Sequence, residues 1–258
     1  MACQIKIEPL TTVPLLLQPR AGTHEISRAT GFLILHSDRH YLITNWHVAT
    51  GVHPETDKPL DSVGRIPDSL VIWFHSAQQL GRWLSTQVPL GDRGSSGQRW
   101  IEHRQGQKVD VVALPVPTNE AFAYYPLDLS LAQTDLVVSP SDDVSIIGFP
   151  LGQAVNGNFP IWKTGHVASD IDLPYQGKPV FLVDATTKPA MSGSPVVAKR
   201  IGMVRRSTGF EHGTAERFLG VYSGHTKSKS DIGMVWKASV IHEILETSND
   251  ERRQASDT

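Results

Sequence analysis

Cysteine is almost missing from this chain: one residue of 258, Cys3, is a cysteine. No intrachain disulfide can form, and small secreted domains usually depend on several, so a cytoplasmic setting is expected. Long apolar runs are missing as well. No stretch approaches the roughly 18 apolar residues that a membrane helix requires. The apolar run Val13 to Leu17 is broken by Pro14, stopped by Gln18, Pro19 and Arg20, and has no basic region before it. It reads as an opening strand rather than a signal segment. With no signal region ahead of it, Cys3 is not expected to carry a lipid. Net charge is also small, at −2. Nothing in it favours nucleic acid or an anionic membrane, and Lys199-Arg200 and Arg205-Arg206 read as solvated loop charges. H-E-x-x-H, C-x-x-C and phosphate-loop patterns are absent, so no metal and no organic cofactor are expected.

What is present is β-prone. Gly31–Leu35 and Tyr41–Thr44 are apolar runs separated by the polar stretch His36–His40, the pattern of a hairpin. Leu70–Phe74 and Val109–Leu114 read as further strands, with turn-rich loops around Gly51–Asp68 and Gly91–Gln98. The proline-bearing segment Pro115–Asp143 reads as a crossing between two halves. A second set of strands follows at Val144–Phe149, Ile161–Val167, Val180–Val183, Pro195–Ala198 and Phe218–Ser223. Val240, Ile241, Ile244 and Leu245 recur at helical spacing and predict a C-terminal helix. Residues 248–258 read as a polar tail, and the charged, glycine-bearing stretch Arg205–Arg217 as a surface loop.

Three short segments carry chemistry. Ala190-Met191-Ser192-Gly193-Ser194-Pro195 is a small-residue turn between apolar runs, with Ser192 at its centre. A serine hydroxyl is a weak nucleophile unless an imidazole takes its proton and a carboxylate holds that imidazole in the right tautomer. His47 follows the hairpin, and Asp110 opens an apolar run where an unpaired carboxylate would be costly. Among eleven histidines His40, His103 and His225 are the competing candidates, and Ser194 is the competing hydroxyl. The Gly-x-Ser-x-Gly elbow of another hydrolase fold is not met, because Ala190 and Ser194 replace both glycines.

Asn45-Trp46-His47-Val48, Asp110-Val111-Val112-Ala113-Leu114, Met191-Ser192-Gly193-Ser194-Pro195 and Phe218–Gly224 resemble, in that order, four blocks of the trypsin-like (chymotrypsin-fold) serine peptidases. The style is that of cysteine-poor bacterial members such as HtrA proteases and glutamyl endopeptidases. The resemblance implies an all-β fold of two six-stranded antiparallel Greek-key barrels and a C-terminal helix. One peptidase domain would span 1–247, with barrels at about 1–125 and 140–236 and the helix at about 237–247. It implies peptide-bond hydrolysis by Ser192 as nucleophile, His47 as general base and Asp110 as its orienting carboxylate, with a protein or peptide as substrate. The oxyanion hole would be the N–H groups of Ala190 and Ser192. Thr186 and Thr187 would form the base of the specificity pocket, with Tyr222, Ser223 and Gly224 along its wall and His225 close by. No acid stands in that set, which argues against a Lys or Arg preference, and a small or apolar substrate side chain is expected.

One departure matters. The family's usual residue at position 190 is glycine, which tolerates backbone angles that a Cβ resists. Alanine predicts a loop that rests partly misformed and is straightened by substrate or by a partner. The segment before the first barrel motif resembles a strand rather than a propeptide, and the chain ends too soon for the PDZ domain of HtrA proteases. Control by narrow specificity, by the Ala190 loop or by a dedicated target or activator protein is therefore expected, in the manner of a stress or defence protease. A dormant binding protein on the same fold, resting on Ala190 alone, and an esterase with the same triad are the alternatives.

Overall fold

A computed structural model describes residues 6–155, 158–226 and 230–246. Cys3 and the tail from 248 lie outside them. The first half contributes β1 (Pro14–Ala21), β2 (His24–Glu25), β3 (Ala29–His36), β4 (Arg39–Thr44), β5 (Ser69–Ser76), β6 (Trp83–Pro89), β7 (Ile101–Glu102), β8 (Val112–Pro115) and β9 (Phe122–Ala123). These form one antiparallel sheet in the order β6-β5-β1-β3-β4-β8-β7, with β2 on β1 and β9 on β5. Six principal strands match the expectation, and three two-residue strands extend them. The β3–β4 hairpin closes through Ser37 and Asp38, both at positive φ (48° and 58°). A two-residue turn of that hand follows the right-handed twist of its strands.

The second half closes fully. β10 (Asp143–Gly148), β11 (Ile161–Val167), β12 (Val180–Asp184), β13 (Pro195–Arg206), β14 (Gly209–His225) and β15 (Ile232–Lys237) form a barrel in the order β10-β11-β12-β15-β14-β13. A helix over 239–246 follows, burying Val240, Ile241, Ile244 and Leu245 at the spacing read from sequence. The apolar core between the halves is continuous. Phe32, Ile34 and Ile43 of the first sheet share a cluster with Ile147, Phe218 and Trp236 of the barrel and with the helix. The Phe32 and Phe218 rings meet edge to face at 5.6 Å.

The stretch from 205 to 217 differs from expectation. It is no loop but the far end of a long hairpin, with β13 and β14 paired from Pro195↔Val221 out to Arg206↔Gly209. Its apolar residues mark no continuous buried face: Val204 and Ala215 turn into the core, but Ile201, Met203 and Phe210 are 77%, 69% and 71% exposed. Cross-strand pairing more than core burial extends these strands, and periodicity of burial carries little trace of it.

Candidate active site

His47 and Asp110 come from different parts of the first half and meet directly. Asn45 caps a five-residue helix, α1 (Trp46–Thr50), that begins just after β4 and places His47 in its first turn. Asp110 lies two residues ahead of β8 and is 3% exposed. The His47 Nδ1–H donates to Asp110 Oδ2 at 2.7 Å, and the His47 main-chain N–H donates to Oδ1 at 2.9 Å. Ser223 Oγ donates to Oδ2 at 2.7 Å. The Asn45 side-chain amide donates to the Asp110 carbonyl at 2.7 Å. Three donors on one carboxylate offset the cost of burying it. They also fix the tautomer: a proton held at Nδ1 leaves Nε2 of His47 with its lone pair. Ser223, expected along the specificity pocket, lines the cavity beside His47 and turns its hydroxyl onto Asp110. Its type gave no signal, since a serine beside a glycine at the end of a strand reads equally as a turn residue.

The serine turn is built by the second barrel. Met191 N–H donates to the Lys188 carbonyl at 3.3 Å, with Pro189 second and Ala190 third in the turn. Ala190 has φ +75°. A positive φ at the third position with proline at the second is the type II arrangement, which ordinarily takes glycine. Alanine there costs about 1–2 kcal/mol. Neither the Ala190 nor the Ser192 N–H meets an acceptor among the described residues. The turn is hydrogen-bonded in the left-handed form that alanine resists, with two donors two residues apart that meet no acceptor among the described residues. The strain is real, but neighbouring contacts carry it. Gly193 follows at φ +86°, and a Cβ there would lie 2.0 Å from the Thr30 carbonyl oxygen.

Hydrogen bonds tie this turn to the His47–Asp110 pair. Gly193 N–H donates to the Tyr222 carbonyl at 2.8 Å, and Tyr222 N–H to the Ser194 carbonyl at 2.9 Å. The next residue, Ser223, holds Asp110. Among the described residues no hydrogen bond joins the Ser192 side chain to His47; in unliganded sites such contacts are often long and tighten only with substrate. Ser194 is fully buried and its Oγ has no partner, so it lies under the turn and out of a substrate's reach.

The family model for a trypsin-like peptidase domain matches residues 29–204. The chain belongs to the trypsin-like peptidase family. It is a serine endopeptidase by that membership, and solved structures agree on the fold. A serine endoprotease from Yersinia pestis superposes with a TM-score of 0.53 at 13% identity, covering 95% of this chain and 67% of the other. Protease Anisep from Arthrobacter nicotinovorans gives 0.53 at 13% identity, over 93% and 96%. The active form of a protease from M. tuberculosis gives 0.50 at 17% identity, over 92% and 81%. No curated protein matches the sequence.

The peptidase carries a polar cluster beside the serine turn. Buried Thr187 bonds through Oγ1 to the Tyr222 hydroxyl and, at 2.9 Å, to His225 Nε2. Burial pushes the Tyr222 phenol up to about 12. Tyr222 has no other side-chain partner, and Thr187 Oγ1 links its hydroxyl to the His225 ring. Thr186 is exposed, and Gly224 (φ +99°) sits in the bulge that separates Tyr222 from His225. His225 and His47 line one cavity of about 720 Å³, floored by Val180, Met234 and Trp236. Across its mouth Lys178 of the barrel meets Glu55 of the first half at 3.0 Å. The competing histidines are engaged elsewhere: His40 stacks on Tyr124, and buried His103 bonds Glu243 of the C-terminal helix. Among the described residues no group of three His, Cys, Asp or Glu could hold a metal ion, and no helix is long and apolar enough to cross a membrane.

Proposed function

We propose that the peptidase cleaves peptide bonds through Ser192, with His47 as general base and Asp110 as the carboxylate that orients it. Ser192 Oγ attacks the scissile carbonyl while His47 Nε2 takes its proton, and the Ala190 and Ser192 N–H groups hold the developing oxyanion. His47 returns the proton to the leaving amine, and water then hydrolyses the acyl-enzyme by the same steps in reverse. The observation that carries this reading is the fixed tautomer of His47, set by Asp110, next to a turn with two unpartnered N–H groups. A left-handed Ala190 with an unpartnered N–H supports an active peptidase over a dormant binding protein, and control by narrow specificity over control by a partner that straightens the loop. A single cysteine supports work in a reducing compartment.

For substrate choice, the polar trio of Thr187, Tyr222 and His225 fits a small apolar side chain poorly. The group that reaches the cleft is the His225 ring; with the Tyr222 proton on Thr187 and the Thr187 proton on Nε2, its Nδ1–H is a donor that favours a substrate side chain ending in a hydrogen-bond acceptor. Labelling with a fluorophosphonate tests the catalytic reading. The wild type is expected to label, and Ser192→Ala and His47→Ala are expected not to. A folded wild type that stays unlabelled, with and without candidate partner proteins, overturns it, and paired ester and amide substrates separate a peptidase from an esterase.

A further inference from the structure

The serine turn belongs to the second barrel, and β14 holds its Gly193–Ser194 end, but the contacts on either side of Ala190 come from elsewhere: from β3 and from the turn after β10. We infer that the Thr30 side chain and the Leu151 main chain form a two-point clamp that keeps the Ala190 N–H aimed into the active site. Both are positioning residues, and the inference rests on the oxyanion role proposed for Ala190.

The geometry is that of two pinned peptide groups. The Pro189 carbonyl accepts from the Leu151 N–H at 2.7 Å. Every described peptide bond is trans, and in a trans peptide the N–H points opposite to the C=O. Holding the Pro189 carbonyl on Leu151 therefore aims the Ala190 N–H the other way. The next peptide is pinned too: the Ala190 carbonyl accepts from Thr30 Oγ1 at 2.8 Å. With the groups on both sides of Ala190 fixed, its left-handed backbone cannot relax by a peptide flip without breaking one of these bonds.

Thr30 is suited to nothing else. It is the second residue of β3 in the first sheet, is fully buried, and spends its single hydroxyl proton on Ala190. The same oxygen accepts from the Phe149 N–H at 3.3 Å, and the Thr30 main-chain N–H donates to the Ser192 carbonyl at 2.9 Å. Phe149 and Leu151 lie in one turn after β10. That turn thus reaches the serine turn twice, directly through Leu151 and by way of Thr30. Leu151 is itself at φ +57°, although its side chain is 56% exposed. A leucine that gains little from packing has no reason of its own to adopt that angle; delivering its N–H to Pro189 supplies one. Strained residues that face each other at a site are held by their surroundings.

A clamp on an oxyanion donor acts in the transition state, so its loss lowers kcat and leaves KM nearly unchanged. Removing one such donor outright costs about 100- to 1000-fold, and misaiming it costs less. The test is steady-state kinetics on the full chain with Thr30→Val, Thr30→Ser, Ala190→Gly and the Thr30→Val/Ala190→Gly pair. Thr30→Val is expected to lower kcat roughly 10- to 100-fold with KM within about 3-fold, and Thr30→Ser to recover most of the loss. Glycine needs no clamp to stay left-handed, so the Thr30→Val loss measured against Ala190→Gly alone is expected to shrink at least about 5-fold. An equal loss in both backgrounds, or a rise in KM at constant kcat, overturns the clamp. If Thr30→Val does not fold, an amide-to-ester replacement that deletes only the Leu151 N–H carries the same expectation and the same refutation. An active wild type with an equally active Thr30→Val defeats the clamp alone, whereas a wild type that neither labels nor turns over defeats the catalytic reading and the clamp together.

Discussion

Replacing Ala190 by glycine is expected to stabilise the protein, against the usual direction for such a change. Two terms oppose each other. Alanine at φ +75° carries about 1–2 kcal/mol of strain that glycine does not. Glycine adds about 0.4–1 kcal/mol of conformational entropy to the unfolded chain. The difference, less a small term for one half-buried methyl, leaves a gain on the order of 0.5 kcal/mol, or a rise of roughly 1–2 °C in Tm for a chain of this size. A turn resting in a right-handed conformation carries no strain to release, so there the substitution would cost about 0.5–1 kcal/mol. The sign of the change therefore separates a formed turn from a misformed one. Calorimetry and urea unfolding of the two proteins, side by side without ligand, measure it. A loss of more than about 0.5 kcal/mol in both would refute the strain argument.

Asp110→Asn is expected to lower kcat by about 10,000-fold while the protein stays folded, because an amide can turn its N–H toward Nδ1 and favour the wrong His47 tautomer; circular dichroism and a kcat within 10-fold of wild type would contradict this. His225→Leu removes the ring donor in the cleft and is expected to cut the preference for glutamine over methionine at the cleaved residue about 3- to 10-fold in competition assays. His75 gives a pH effect on stability. It is 2% exposed, with the Phe159 ring at 5.2 Å, and burial holds it well below the usual histidine range, at about 4. The unfolded chain binds the proton first as pH falls, so this contribution is full above about 6.5 and is lost between 6.5 and 4, at up to about 1.4 kcal/mol per pH unit. His75→Gln is expected to flatten that part of the stability profile in urea melts between pH 7 and pH 4.5, and an unchanged slope would count against it. Gly193→Ala is expected not to accumulate as folded protein, since its Cβ would meet the Thr30 carbonyl oxygen at 2.0 Å; soluble, cooperative unfolding of that variant would refute the close approach.

Much of the architecture was readable because burial and turn chemistry agree. The β3–β4 hairpin and the strand ahead of Ser192 show as short continuous apolar runs, and the helix over 239–246 as apolar residues at helical spacing. His47 and Asp110 stood out because each adjoins an apolar run where a polar group requires a partner. The outer ends of β13 and β14 left little such trace, since Val204 and Ala215 turn into the core but Ile201, Met203 and Phe210 face out. Ser223, Thr30 and Leu151 were opaque for a different reason. Each reaches a partner 38 to 160 residues away in the chain: Leu151 to Pro189 through its main-chain N–H, and Thr30 to Ala190 and Ser223 to Asp110 through their hydroxyls. A single residue type cannot announce a partner so far away. Ala190 was legible as a departure, but sequence carried the strain and not the contacts that hold it.

The core shared by the two halves makes the crossing between them a place where the chain could be cut. Phe32 and Ile43 on one side and Phe218 and Trp236 on the other pack into one buried cluster, so each fragment alone would expose its share of that cluster and carry half a site. Co-expressed pieces would then find each other through those residues, and proteolysis would report their meeting. Two proteins fused to the pieces could be asked, by the appearance of cleaved substrate, whether they come together in a cell.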